Sequence, residues 1–307
     1  MENTTSFKEF YILAFSTISQ KKPVIFVVFL FLYNIGVFWN LLIILAILKD
    51  SHLHTPMYLF LCNLSLVDIC YPSVTLPKLM HILLTGMNSI SVMCCFAQMF
   101  FFIFMGGTEI MLLSSMAYDR YIAICDPLHY NTVMDRNKCG ILLGVTWISG
   151  FGNAAFIILL ASKLQFCRSN KIHQFFCDVK ALSTISCSGI GFQMLIFIEA
   201  ILYGFFPFLL SLLSYIKIIS VILKIRSVEG RKKAFSTCSS HLSVIMLYYA
   251  TILCMYMRSP SEYSDAMDHI FSVLYSSVTP MLNPLIYSLR NKDVKNAMKQ
   301  MWTVSKQ

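Results

Sequence analysis

Three carboxylates stand in apolar surroundings along this chain: Asp68 in LCNLSLVD, Glu109 in GGTEIML and Glu199 in LIFIEAIL. An acid kept from water is costly, so each is expected either to be neutral and hydrogen-bonded or to serve a cation, a proton or a ligand. Asp68 and Glu109 could share a sodium ion or a proton if their segments face each other, since two carboxylates that close do not both stay ionised. The alternative is that each hydrogen-bonds to Asn40, Ser114 or Asn283. Glu199 has no basic partner nearby in sequence, and either lines a ligand cavity or is satisfied by a neighbouring helix. A fourth acid, Asp119, is followed by Arg120 and Tyr121. An acid beside an arginine forms a local ion pair that breaks when a partner offers the arginine something else, which is the basis of a two-state switch. Three letters alone are better read as a simple interfacial anchor. None of these groups makes an enzyme. There is no metal-spaced His/Cys set, no nucleophile elbow and no phosphate-cradling glycine loop, and His241 and His269 stand alone. No cofactor or metal is expected.

The elements that carry these residues are apolar. Of 307 residues, 57% are hydrophobic and 13% charged, against about 45–50% and about 25% in ordinary soluble domains. Seven blocks reach the ~20 residues that a helix needs to cross a bilayer. They are Pro23–Leu48, Met57–Leu79, Cys95–Ile122, Cys139–Ala161, Phe192–Ile218, Ser239–Met257 and Ile270–Leu289. This predicts an all-α membrane protein: an outer segment over 1–22, a seven-helix bundle over 23–289, and a cytoplasmic tail over 290–307. The first block starts too far in, is too long and lacks a small-residue cleavage site, so it reads as a retained helix. Basic residues are densest after the fifth block (Lys217, Lys224, Arg226, Arg231, Lys232, Lys233), which puts that loop inside and the N-terminus outside, at the plasma membrane. Asn3-Thr4-Thr5 is a glycosylation acceptor on the same outer side. The net charge of +9 is accounted for by that inner face and anionic lipid, without nucleic acid. No internal repeat of the transporter kind is evident.

Among the eleven cysteines, Cys62, Cys70 and Cys254 lie inside spans and read as small packing residues. Cys94, Cys95, Cys167, Cys177 and Cys187 fall on the oxidising side, where bridges are expected. The residues alone choose neither the pairing nor between Cys94 and Cys95. Helical spacing sets out a candidate ligand lining in the outer half: Met99, Phe102, Ile103 and Gly106 on the third helix; Glu199 and Tyr203 on the fifth; Tyr249, Ile252, Leu253 and Tyr256 on the sixth; Val273 and Ser276 on the seventh. Such a lining suits a small, poorly soluble molecule oriented by one or two hydrogen bonds. After the last span, Val294, Ala297, Met298, Met301 and Trp302 share one helical face, with Lys292, Lys295 and Lys299 on the others. That pattern predicts an amphipathic helix on the inner leaflet.

Five stretches then act together: LHTPMYLFL (53–61), MAYDRYIAICDPLHY (116–130), Ser214-Tyr215, KAFSTCSSHL (233–242) and PMLNPLIYSLRN (280–291). Through them the chain resembles the olfactory receptor family, in its tetrapod-type branch, within the rhodopsin-like (class A) G-protein-coupled receptors. The resemblance implies a small volatile odorant as ligand, and a stimulatory olfactory-type heterotrimeric G protein raising cyclic AMP. It assigns Asp119, Arg120 and Tyr121 to the activation motif, Tyr215 to an element that moves, and Asn283, Pro284 and Tyr287 to a seventh-helix hinge. It matches Asp68 and Glu109 to a buried acidic pair, implies bridges Cys95–Cys177 and Cys167–Cys187, and implies a short eighth helix. Oligomeric state does not follow from it. The chain departs from the pattern at Trp39, where glycine is usual before Asn40, at Tyr248-Tyr249-Ala250 in place of Phe-Tyr-Gly, and at Glu199, where an apolar or small residue is expected. Two rivals fit less well. For an amine or peptide receptor, Glu199 could pair with an amine, yet Phe102 and Ile103 stand where the amine-pairing aspartate would be expected. A transporter using the three acids as a proton path leaves the other motifs unexplained.

Overall fold

A computed structural model describes residues 7–13, 22–166, 169–187, 189–256, 272–290 and 292–304. Its helices are α1 (Lys22–Lys49), α2 (Pro56–Thr85), α3 (Val92–Cys125), α4 (Tyr130–Val133), α5 (Arg136–Ala161), α6 (Val179–Ile185), α7 (Gly189–Glu199), α8 (Phe206–Lys224), α9 (Val228–Tyr256), α10 (Thr279–Arg290) and α11 (Lys292–Val304). A π-helical turn over Ala200–Phe205 joins α7 to α8 as one rod, and a second over Leu274–Val278 leads into α10. Among the described residues six helices are long and apolar enough to cross a membrane. The seventh expected span, Ile270–Leu289, is seen from Ser272 onward; its start lies outside the described residues.

The helices run past the apolar blocks that predict them. Apolar length measures the lipid, whereas a helix ends where its backbone finds a cap. α2 begins with Pro56 in its first turn and ends at Gly86, whose φ of 75° is left-handed and whose N–H bonds the Ile82 carbonyl. At the start of α3, Ser91 accepts from the Cys94 N–H; at the start of α5, Asp135 accepts from the Lys138 N–H. α9 begins at Val228, well before the expected Ser239, because its polar first turns need no lipid to be helical. Each π turn stands directly before a proline-bearing turn, at Pro207 and Pro280. In both, an N–H bonds five residues back: Phe206 to Ile201, and Thr279 to Leu274. Proline gives no N–H and crowds the carbonyl four residues back, and the wider turn accommodates both.

α3 is the central rod, packed on α2, α5 and α8. It approaches α5 closely because Gly150 has no side chain: a Cβ there would meet the Thr108 side chain and the Phe104 carbonyl. α1 meets α10 at Gly36, whose missing Cβ leaves room for Met281. Asn40 ties the same two helices, donating to the carbonyls of Gly36 (3.0 Å) and Pro280 (3.4 Å). Close packing of the first helix is thus carried by Gly36, and Trp39 sits beside it half-buried. The outward faces are apolar, with Phe31, Phe38, Ile148, Phe151, Phe197 and Leu210 all exposed. A surface of that kind is stable only against lipid.

Three short strands close one end, a feature too short for the sequence pattern to signal. β1 (Glu9–Ile12) pairs antiparallel with β2 (Ser89–Ser91) and parallel with β3 (Lys171–Ile172), in the order β2-β1-β3. Phe10 and Ile12 point inward and are fully buried, as the period of two requires. At the other end α11 follows α10 directly. Its predicted apolar face is largely occupied by protein: Val294, Ala297 and Met298 are buried, in a helix that packs on α1 and α10. The side chains of Met301 and Trp302 lie outside the described residues.

Candidate functional site

A cavity of about 140 Å³ opens where α3, α5, α6 and the α7–α8 rod meet, with one residue from α9. On α3 the wall is Phe102, Ile103, Gly106, Gly107 and Ile110; on α5 it is Asn153 and Ile157. The rod adds Ile196, Glu199, Ala200, Tyr203 and Gly204, and α9 adds Ile252. Three of the wall positions, Gly106, Gly107 and Gly204, are glycine. Asp178 and Val179 form the remaining wall, brought there by the Cys95–Cys177 disulfide, which pins the long loop to the top of α3. The backbone N–H of Cys177 donates to Gln98 (2.9 Å), and Gln98 in turn donates to the Val74 carbonyl (2.9 Å). Phe176 packs on Phe102 with ring centres 4.5 Å apart, and Phe102 stacks on Tyr71 at 4.8 Å.

The polar end of the cavity is one carboxylate and one amide. Asn153 Nδ2 donates to Glu199 Oε1 at 2.9 Å. A neighbouring helix thus satisfies one oxygen of Glu199, and the group also lines the cavity. Tyr203 reaches across to the Ser149 carbonyl at 3.4 Å.

Six of the twelve residues expected at the ligand lie on this wall: Phe102, Ile103, Gly106, Glu199, Tyr203 and Ile252. The others are placed elsewhere. Met99 is buried away from the cavity. Tyr249 packs on Phe208, with ring centres 4.7 Å apart. Leu253 is 52% exposed and faces outward. On the seventh helix Val273 is half-buried, and Ser276 hydrogen-bonds Ser277 at 3.2 Å. The side chain of Tyr256 lies outside the described residues. Among the described residues, the fourth helix and its following loop also wall this cavity, and no residue of the seventh lines it. Helical spacing says which residues share a face but not which neighbour that face meets. Asn153 and Asp178 were missed. A lone amide in an apolar span, and an acid beside the cysteine that the resemblance pairs with Cys95, were the signals that could have found them.

The two deeper acids are buried together. Asp68 is held by Asn283, whose Nδ2 donates to both its oxygens at 3.1 and 3.2 Å. Glu109 lies within electrostatic reach of Asp68, and its buried Oε1 has no hydrogen-bond partner among the described residues. Asn40 and Ser114, the alternative partners, are engaged elsewhere: Asn40 between α1 and α10, and Ser114 on the Pro207 carbonyl (3.2 Å) and Ser211 (3.3 Å).

At the far end of α3, Arg120 grips its neighbour. Nε lies 2.9 Å and Nη2 2.5 Å from Asp119 Oδ2. Asp119 is fully buried, and the Arg120 side chain is 14% exposed. Tyr130 on α4 donates to the other oxygen, Oδ1, at 2.8 Å. One layer in, Tyr215 on α8 and His241 Nδ1 on α9 are 2.7 Å apart, so His241 is a hydrogen-bonding residue. Tyr287 is buried, and its hydroxyl has no partner among the described residues. Tyr58 on α2 donates to Asp293 on α11 at 3.0 Å. Of the remaining expectations, Cys187 is disulfide-bonded, while Cys167, its implied partner, and Asn3 lie outside the described residues. Cys94 is unbridged and exposed.

A lipid-faced helical bundle with a mostly apolar cavity at one end and a breakable ion pair at the other fits a membrane receptor rather than an enzyme. The family model described as olfactory receptor matches residues 29–305. Olfactory receptor 1M1 of Mus musculus is 47% identical over 301 residues, covering 98% of this chain and 96% of that protein. Olfactory receptor 1 of Rattus norvegicus is 44% identical over the same length, with the same coverage. Olfactory receptor 1M1 of Homo sapiens is 44% identical over 300 residues, covering 97% of this chain and 96% of its own. The chain belongs to the olfactory receptor family, whose members are rhodopsin-like G-protein-coupled receptors.

Proposed function

We propose that this receptor takes a small, mostly apolar volatile molecule into the α3–α5–α7 cavity and activates a stimulatory, olfactory-type G protein, raising cyclic AMP. The observation that carries the reading is the single rod α3, which walls the cavity with Phe102 and Gly106 and ends in the Asp119–Arg120 pair. The N-terminus lies outside and the C-terminus in the cytoplasm, in keeping with the basic residues after α8. Residues 23–289 form the receptor domain and 290–307 the inner helix and tail.

The mechanism is a population shift, in which ligand binds the active arrangement more tightly. The rod α7–α8 lines the cavity on its outer half and carries Tyr215 on its inner half. Tyr248 on α9 donates to the Gly106 carbonyl at 3.1 Å, so the cavity wall is also tied to the sixth span. A ligand that moves these walls biases the Tyr215–His241 contact and frees Arg120 from Asp119 for the G protein. Asn283, Pro284 and Tyr287 form the hinge beside it. The test is cyclic AMP in cells with the receptor verified at the surface, challenged with a panel of small odorants. Wild type should respond and Arg120→Ala should not. A full response from Arg120→Ala would overturn the switch.

A further inference from the structure

We infer that the cavity selects molecules bearing a protonated amine, with Glu199 as the counter-ion; this deepens the functional reading above and rests on the cavity being the ligand site. Glu199 stands on a wall that is otherwise mostly apolar, among Phe102, Ile103, Ile157 and Ile196. Asn153 fixes one of its oxygens, which leaves the other for a ligand. Among the described residues Glu199 enters no ion pair, and no lysine, arginine or histidine lines the cavity. Asp178, whose carboxylate accepts from the Lys180 N–H at the start of α6, places a second acid on the same wall. An intramembrane acid either stays neutral or is paired with a cation, and the described residues around Glu199 offer no cation. A carboxylic acid ligand would be repelled, and an alcohol offers Glu199 a hydrogen bond but no charge to hold the carboxylate ionised. An ammonium group both pairs with Glu199 and donates hydrogen bonds.

Volume limits the rest of the ligand. A cavity of about 140 Å³ compares with the roughly 150 Å³ apolar cavity that holds benzene. The body of the ligand is therefore a ring or branched chain of about that size, set against Phe102 and Ile157, with the nitrogen toward Glu199.

The test is a matched series on surface-expressed receptor at neutral pH: cyclohexylamine and 3-methylbutylamine against cyclohexanol and 3-methylbutanol. The amines should activate at concentrations at least ~10-fold lower than the alcohols. Glu199→Gln should weaken the amine response by at least ~30-fold, the lower end of the loss when one partner of a buried charge pair is removed, and the alcohol response much less. The amine-to-alcohol comparison needs no variant, so it stands even where Glu199→Gln reaches the surface poorly. Alcohols equal to or better than amines, or an amine response untouched by Glu199→Gln, would overturn the amine assignment and leave the receptor reading in place. So would silence toward all four probes with basal cyclic AMP above that of Arg120→Ala. Silence toward these probes and toward the wider odorant panel, with basal cyclic AMP equal to that of Arg120→Ala, would remove the proposed signalling function itself.

Discussion

The hydroxyl of Tyr130 donates to Asp119 Oδ1 at 2.8 Å, on the carboxylate whose other oxygen grips Arg120. The lock on the arginine is therefore set from α4, a short helix outside the bundle. A hydrogen bond to a charged group contributes about 1.5–3 kcal/mol, and its loss loosens the resting pair. Tyr130→Phe should raise basal cyclic AMP at matched surface expression, and adding Arg120→Ala should abolish the rise. An unchanged basal level would show that Tyr130 does not restrain the pair.

Tyr215 and His241 join the inner ends of α8 and α9 through one contact of 2.7 Å. If that contact is a single functional unit, Tyr215→Phe and His241→Phe should each alter agonist potency, and the double variant should add little to either. Additive effects in the cycle would mean that the two act separately.

Gly150 tests the packing that shapes the cavity. Gly150→Val drives side-chain atoms into Thr108 and the Phe104 carbonyl, and overpacking of this kind costs about 1–3 kcal/mol or more. Thermal stability in detergent should fall and surface expression with it. Gly152→Ala, two residues on and facing open space, should be tolerated. Equal behaviour of the two variants would contradict the close α3–α5 approach.

The cysteines at the top of α3 give opposite expectations. Cys95→Ser or Cys177→Ser releases the loop that carries Asp178 and Val179, and should reduce both surface expression and ligand potency. Cys94→Ser should do neither, because Cys94 is exposed and unbridged. Loss of function in Cys94→Ser alone would reverse the assignment.

The apolar blocks located the helices because lipid imposes a length that composition reveals. They missed the ends, since Gly86 and Asp135 act as caps beyond the apolar run. The inner site was legible because its members are adjacent in sequence, as Asp119 and Arg120 are, or stand in long motifs. The cavity was half legible. Phe102 and Glu199 lie on faces that helical spacing reveals, whereas Asn153 enters only because α5, held close by Gly150, turns that face toward Glu199. Asp178 depends on a disulfide whose pairing the residues alone left open. Tyr130 went unremarked inside a motif read for its Asp-Arg-Tyr core. Its reach of eleven residues back to Asp119 depends on how the chain turns at Pro127.

The β2-β1-β3 sheet also fixes an order of manufacture. Glu9–Ile12 is synthesised early, yet Ser89–Ser91 exists only after two helices have been made and Lys171–Ile172 only after the helix that ends at Ala161. One edge of the opening strand can pair once Ser91 has been made, whereas its other edge must wait until more than half of the chain has followed it. Closing the sheet is thus a late event in biogenesis. A receptor stalled before that point offers an apolar strand with unpaired backbone groups to whatever quality-control machinery surveys that compartment.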